Sequence, residues 1–163
     1  MNKLNTPNKN RKHKSRGPVY VYQDKSLTPA IICDLDGTLA LMNGRNPFDA
    51  SKCEQDILNE PVAHLVKSYA EQGTKIILLS GRTDNYKAET VRRLEKHDVQ
   101  YEKLLMRRHG DKRKDAIIKK EIVDNEIKGK YFVRFVLDDR DQVVDMWRTE
   151  IGYACLQVYY GDF

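Results

Sequence analysis

Apolar residues in this chain come in short unbroken runs, and those runs alternate with stretches of helical spacing. The first run covers residues 30–34 and predicts a strand buried on both faces. Leu58, Val62, Leu65, Val66 and Tyr69 then recur at the spacing of a helix over residues 57–72, which Gly73 stops. Lys75-Ile76-Ile77-Leu78-Leu79 predicts a second strand, and residues 84–97 a polar helix capped by Asp84. A third strand runs from about Tyr101 to Met106, followed by a highly charged helix from about Lys112 to Ile127. Its Ile117, Ile118, Ile122 and Ile127 predict a narrow buried stripe. Phe132 to Leu137 is the fourth strand. Val143, Val144 and Trp147 face inward from a short helix ending near Gly152, and Tyr153 to Val158 closes the series. Ahead of all this, Val19-Tyr20-Val21-Tyr22 is either an edge strand or a lead-in.

Strands alternating with helices predict an α/β fold: a central parallel sheet, three layers deep, with helices on both faces. In such Rossmann-like sheets ligands bind outside the carboxyl ends of the strands. No repeat or linker divides residues 18–163, so these form one domain. Apolar residues at 40% and charged residues at 33% suit a soluble globular protein. No apolar run is long enough to span a bilayer, and no signal peptide is visible, so no membrane partner is expected.

Charge separates the first residues from the rest. The net charge is +5, yet residues 1–17 alone carry Lys3, Lys9, Arg11, Lys12, Lys14 and Arg16 without an acid, leaving −1 for residues 18–163. Such a segment is expected to be disordered. It is either a solvated tail or an arm drawn to nucleic-acid phosphates. Cys33, Cys53 and Cys155 form neither a zinc pattern nor a disulfide framework. That favours a reducing, intracellular (cytoplasmic) setting, host cytoplasm if the chain is phage-encoded, with Cys33 and Cys155 as buried small hydrophobes.

The candidate chemistry sits at the strand ends. Residues 30–34 run straight into Asp34-Leu35-Asp36-Gly37-Thr38-Leu39. Two carboxylates at the end of a buried strand are costly unless a positive group holds them, and Mg²⁺ is the hard cation that suits them. The second strand ends Leu79-Ser80-Gly81-Arg82, offering a hydroxyl, a close backbone approach and a guanidinium for phosphate. The fourth ends Val136-Leu137-Asp138-Asp139-Arg140, a second acidic pair. The charged helix offers Lys114, Asp115 and Lys119, and a lysine near a nucleophile would offset crowded negative charge. Taken singly, each piece has an ordinary explanation as a turn, a cap or a solvated face. Their joint occurrence, in order and each after a strand, points to phosphoryl transfer.

Asp34-Leu35-Asp36-Gly37-Thr38-Leu39 resembles the first motif of the haloacid dehalogenase-like (HAD) phosphohydrolases. Ser80, Lys119 and Asp138-Asp139 match that superfamily's other three motifs. The likeness extends to one branch, the 3′-phosphatase domain of phage-type polynucleotide kinase/phosphatase. It rests on Met42-Asn43-Gly44-Arg45-Asn46-Pro47-Phe48-Asp49, Gly110-Asp111-Lys112-Arg113-Lys114-Asp115, residues 138–148 and Gly161-Asp162-Phe163, and it covers roughly residues 28–163. The resemblance implies a three-layer Rossmann-like HAD fold with a minimal cap. It implies Asp34 as the nucleophile that becomes an aspartyl-phosphate, and Asp36 as general acid and then base. Ser80 would bind the transferring phosphate. Arg45, Arg82, Asp115 and Lys119 fall on positions used for catalysis or phosphate binding. Asp34, Asp138, Asp139 and the backbone carbonyl of Asp36 would hold Mg²⁺. The implied substrates are DNA or RNA 3′-phosphate ends, left as 3′-OH in end repair, and self-association is compatible with the family.

Two departures refine this expectation. No phosphate-binding run G-x-x-x-x-G-K-[ST] occurs, so the chain is expected to hydrolyse phosphate esters without phosphorylating ends. It is either free-standing or part of something longer, and the basic segment after Met1 favours free-standing. Only about 17 residues separate the first motif from the helix at 57, too few for a large lid, so the site should admit a polymer end. Arg107, Arg108, His109, Lys112, Arg113 and Lys114 would then lie near its mouth. The competing readings are a HAD phosphatase acting on mononucleotides or other small esters, a phospho-receiver module, and a nucleic-acid-binding module without catalysis. The receiver usually carries its acid pair first and its phosphoaccepting aspartate later, the reverse of the order here.

Overall fold

The computed structural model describes residues 20–46 and 49–161. The basic segment 1–17, Val19, Pro47, Phe48, Asp162 and Phe163 lie outside the described residues. In chain order the elements are β1 (Thr28–Cys33), β2 (Ala40–Leu41), β3 (Ile57–Leu58), α1 (Glu60–Glu71), β4 (Lys75–Thr83), α2 (Lys87–Lys96), β5 (Lys103–Arg107), α3 (Asp115–Glu126), β6 (Tyr131–Arg140), α4 (Asp141–Met146) and β7 (Cys155–Gly161). The sheet has five strands in the order β5-β4-β1-β6-β7, and every pairing in it is parallel. The chain builds outward from β1 through β4 to β5, then crosses back to β6 and β7. β1 therefore lies at the reversal of strand order, where open α/β sheets bind their ligands.

The apolar runs are unbroken because each strand packs on both faces. Ile77 and Leu79 belong to one core with Ala30, Ile32, Val123, Val144 and Trp147. Ile76 and Leu78 belong to the other with Ile31, Cys33, Val62, Val66 and Leu94. Successive side chains of a strand point to opposite faces, so all four are buried although only two share a core. α3 and α4 cover the first face, and α1 and α2 the second. Gly73 at φ 80° ends α1 as expected. The three cysteines are buried and unpaired.

Several expectations need correction. Residues 57–58 form a strand paired antiparallel with residues 40–41, and α1 starts only at Glu60, with Pro61 in its first turn. Asn59, just before α1, ties the helix to the first motif, its side-chain amide donating to Thr38 O at 2.8 Å. α2 starts at Lys87, after a single turn at 84–86, and Asp84 does not cap it. Asp84 accepts instead from the backbone NH of His109 at 2.8 Å. The charged helix begins at Asp115 rather than Lys112, and Ile117 is 50% exposed. Val123 and Lys119 occupy the buried positions of that face. Tyr20 to Tyr22 are not a strand but a lead-in, fixed where Val21 N donates to Gly152 O at 3.0 Å. No helix among the described residues is long and apolar enough to cross a membrane.

Two-sided packing has a measurable consequence. Ile77→Ala and Leu78→Ala, neighbours on β4 that belong to different cores, should each destabilise the fold by about 2–5 kcal/mol. Urea unfolding would show this as two comparable falls in midpoint at unchanged slope. A near-neutral result for either residue would mean that its face of the sheet is not packed.

Candidate active site

Asp34 lies one residue past β1, and its NH donates to Leu137 O at 2.9 Å. That bond holds the first carboxylate beside the end of β6, where Asp138 and Asp139 follow. The chain then turns sharply. Thr38 N and Ala40 N donate to Leu35 O at 3.2 and 2.7 Å, and Gly37 N donates to Ala40 O at 2.8 Å. Gly37 has φ 84°, and a Cβ there would overlap the Asp139 carboxylate. Only glycine meets both demands, which accounts for its place in the motif. Thr38 Oγ1 donates to Asp139 Oδ1 at 3.3 Å.

Lys119 reaches into this corner from α3 and is 1% exposed. Its Nζ lies 2.8 Å from Asp34 Oδ1, 2.9 Å from Asp138 Oδ2 and 3.5 Å from Asp115 Oδ2. Asp138 also accepts from Trp147 Nε1 at 3.1 Å and from Arg140 N at 3.2 Å. Trp147 thus links the apolar core to the acidic pair. Burial pushes the Asp34 carboxyl well above the usual range, against the opposing pull of Lys119. Burial also works against the charged form of Lys119, but Asp138 and Asp34 outweigh it and raise its pKa. The Asp139 carboxyl is pushed up to about 6 by burial and then by the charge of Asp138.

This corner suits a divalent cation. Asp34, Asp138 and Asp139 each offer a carboxylate oxygen, all within 4.8 Å of one another, and all three residues are buried. One ammonium faces three buried carboxylates, which leaves negative charge in excess. An oxygen-only, acid-rich corner of this kind fits Mg²⁺ better than a softer metal. The Asp36 carboxylate is not among these three groups, so the part expected of Asp36 here rests on its backbone carbonyl.

The Asp36 carboxylate faces two arginines. Arg82 binds it in a fork, with Nη2 2.5 Å from Oδ1 and Nε 3.2 Å from Oδ2, and Arg45 Nη2 donates to the same Oδ1. Burial opposes the ionised form of Asp36, but Arg82 and Arg45 outweigh it and hold its pKa below the ordinary carboxylate value. Behind them, Asp56 accepts from Arg45 Nε at 2.8 Å and Nη2 at 2.7 Å, and lies 3.5 Å from Arg82 Nη2. Arg82 Nη1 donates to Thr90 Oγ1 at 2.9 Å. Asp56, Thr90 and the polar role of Trp147 are not among the residues expected from the sequence. Nothing in the spacing of Asp56 or Thr90 marks them, because their partners are distant in the chain.

Asp34, Asp36, Arg82, Asp115, Lys119, Asp138 and Asp139 all line one open cleft of about 660 Å³ at the strand ends. Arg45 joins them through Asp36. Ser80 is buried beneath the cleft and does not line it, and its Oγ accepts from Arg82 N at 3.1 Å. Gly81 lies so close to Asp115 that a Cβ would overlap the carboxylate. Of the expected cations at the mouth, Lys112 and Lys114 are exposed and line the cleft, whereas Arg108 and His109 are exposed but do not. Arg113 is held by Asp111 and Glu121, each at 2.7 Å. Arg107 braces the site: Nε donates to Gly81 O at 2.7 Å and Nη2 to Asp115 Oδ1 at 3.2 Å.

The chain matches a family profile described as the polynucleotide kinase PNKP phosphatase domain over residues 28–163. It is similar to a protein of Autographa californica nuclear polyhedrosis virus named for a bifunctional polynucleotide kinase/RNA ligase, being 37% identical over 132 residues. That match covers 79% of this chain and 19% of the viral protein. Two solved chains, from structures of the Pnkp1/Rnl/Hen1 RNA repair complex and the Pnkp1/Rnl/Hen1 complex, are 57% identical with TM-scores of 0.89. Those matches cover 92% of this chain and 48% and 52% of theirs, so the chain spans about half their length. A class C acid phosphatase from Bacillus anthracis, 17% identical with a TM-score of 0.56, covers 84% of this chain and 68% of its own and shares the fold. The chain belongs to the PNKP-type phosphatase family of HAD domains.

Proposed function

We propose that this domain is a Mg²⁺-dependent polynucleotide 3′-phosphatase that converts 3′-phosphate ends to 3′-OH. The observation that carries the reading is the convergence of Asp34 and Asp138 on one buried ammonium, with Asp139 clustered against both, beside a further carboxylate, Asp36, gripped by two guanidiniums. Membership of the PNKP phosphatase family and likeness to chains of an RNA repair complex support a nucleic-acid substrate. The open cleft supports it too. Between the first motif and α1 the described chain forms a two-stranded ribbon and a short turn at 53–55, which leaves room for a polymer end.

The residues divide the work as follows. Asp34 attacks phosphorus, forming an aspartyl-phosphate as the bond from phosphorus to the 3′-oxygen breaks. Asp36 gives its proton to that leaving oxygen, then takes one from the water that hydrolyses the aspartyl-phosphate and releases inorganic phosphate. Asp36 begins as a carboxylate shared by Arg45 and Arg82. An incoming phosphate dianion competes for the same guanidiniums, and their transfer to phosphate frees Asp36 to take up the proton it must donate. Asp56 and Thr90 keep both arginines within reach throughout. Lys119 holds Asp34 towards phosphorus and offsets the charge that builds up there. Ser80 serves the transferring phosphate from beneath the cleft, its hydroxyl accepting from Arg82 N and so fixing the backbone that carries Arg82, and Asp115 acts on the substrate side by orienting Lys119 and Arg107. Asp34, Asp138 and Asp139, with the Asp36 carbonyl, are the groups that would hold Mg²⁺, whose charge lowers the repulsion between carboxylate and phosphate dianion.

The basic segment 1–17 adds attraction for the phosphate backbone, residues 18–163 act as one catalytic domain, and the cytoplasm is the compartment. Other nucleic-acid repair proteins, and a second copy of the chain, are the partners this places beside it.

Two measurements test this. Oligonucleotides ending in 3′-phosphate, 5′-phosphate or 2′,3′-cyclic phosphate should be hydrolysed only at the 3′-phosphate, and Asp34→Asn should reduce release by at least about a thousandfold. Substantial release by that variant, or equal use of a 3′-mononucleotide, would contradict the proposal. Mg²⁺ at about 100 times its dissociation constant should stabilise the wild type by about 2.7 kcal/mol in thermal melts, and Asp139→Asn should lose most of that gain. An equal gain in both proteins would place the ion elsewhere.

A further inference from the structure

β7 forms one edge of the sheet, and its last residues carry an aromatic pair that the chemistry above does not use. Tyr159 is 70% exposed and Tyr160 81%. Neighbours on a strand normally point to opposite faces. Here the two ring centroids lie 6.1 Å apart at an interplanar angle of 61°, so the pair forms one exposed wedge. The wedge stands at the end of the sheet that carries the active site. Gly161, the next residue, is so close to the Asp139 backbone and carboxylate that a Cβ would lie 2.9 Å from both. The Gly161 position pairs in register with Arg140, which lines the cleft. Among the described residues the two rings stay largely uncovered. Large exposed aromatic groups beside a ligand cleft mark contact surfaces.

The far side of the cleft has the opposite character. There the β5–α3 connection presents Lys112 and Lys114, both exposed and both lining the cleft. β5 and β7 are the two edges of the sheet, so the cations and the aromatic pair flank the catalytic carboxylates from opposite sides. Cations lining a cleft, with exposed aromatic rings beyond its opposite rim, suit the binding of an unpaired strand. Cations follow its phosphates, and its bases stack on rings whatever their sequence.

We infer that Tyr159 and Tyr160 are a stacking platform for unpaired bases at the 3′ end of the strand whose terminal phosphate enters the cleft. This deepens the proposed function and rests on it. The bases preceding the terminal phosphate lie on the β7 side, and the backbone lies against Lys112 and Lys114. A fully paired blunt end cannot offer those bases, so the platform selects ends that are single-stranded or frayed.

The test compares wild type with Tyr159→Ala/Tyr160→Ala and Tyr159→Phe/Tyr160→Phe. Each is assayed on a single-stranded decanucleotide 3′-phosphate, on the same end in a blunt duplex, and on p-nitrophenyl phosphate. For the alanine variant, kcat/KM on the single strand should fall about 10- to 100-fold, chiefly through KM. Its activity on p-nitrophenyl phosphate should stay within about twofold, because no base is present to stack. The phenylalanine variant should match wild type, since the ring and not the hydroxyl carries the contact. Wild type should prefer the single strand to the blunt duplex, and the alanine variant should lose that preference. An unchanged kcat/KM on the decanucleotide, or an equal fall on p-nitrophenyl phosphate, would overturn the platform. If wild type does not hydrolyse the decanucleotide, the phosphatase reading fails by itself. Fluorescence binding of a 2-aminopurine-labelled decanucleotide then decides the platform: weaker binding by the alanine variant supports it, and equal binding overturns it.

Discussion

One buried ammonium makes this site physically tenable. Lys119 sits within 3.5 Å of carboxylate oxygens from Asp34, Asp115 and Asp138, at a position almost closed to water. Without it, the ends of β1 and β6 would place carboxylates side by side in a medium that does not tolerate unpaired charge. With it, the negative charge is reduced but not cancelled. The remaining excess is what suits a divalent cation, so stability and metal binding draw on the same imbalance.

A second charged layer lies beside the first and is balanced, two guanidiniums against two carboxylates. Arg45 and Arg82 converge on Asp36, and Asp56 closes the group from behind. The two layers keep Asp34 and Asp36 distinct although only one residue separates them. Asp34 is buried against a lysine, with its carboxyl pushed up by desolvation. Asp36 is paired with guanidiniums, with its carboxyl held down. Two carboxylates of one motif thus meet different environments, as the proposed division into nucleophile and acid–base group requires. The glycine between Asp36 and Thr38 permits this by letting the turn press against Asp139.

The parallel sheet was legible because strands buried on both faces read as unbroken apolar runs. Ile76-Ile77-Leu78-Leu79 shows this, each residue in turn entering a different core. The strand-end motifs were legible because each follows such a run. What escaped the pattern depends on distant partners. Asp56 lies in a short polar stretch, and only the folded chain brings Arg45 and Arg82 to it. Ile117 shared helical spacing with Ile118, yet its place on the helix faces outward, and the inward place went to a lysine that only carboxylates from β1 and β6 can satisfy. Ser80 was placed at the right strand end, but the bend that puts its hydroxyl under Arg82 N rather than in the cleft leaves no trace in residue type. Residues 57–58 fit a helical period and still pair as a strand, because Ala40 and Leu41 offer them a partner.

The most direct test of this account is the stability of Lys119→Met against pH, in metal-free buffer. At pH 8 the variant should be less stable than wild type by about 3–5 kcal/mol, since it leaves buried carboxylates without their ammonium. Asp34 and Asp139 both have folded-state pKa values raised above the ordinary carboxylate value, Asp139 to about 6. Their charged forms therefore cost stability at high pH, and protonation of Asp139 relieves its share of that cost as pH falls through about 6. The gap between the two proteins should narrow over that range. A gap that is absent at pH 8, or that stays constant down to pH 5, would show that Lys119 does not hold these carboxylates together.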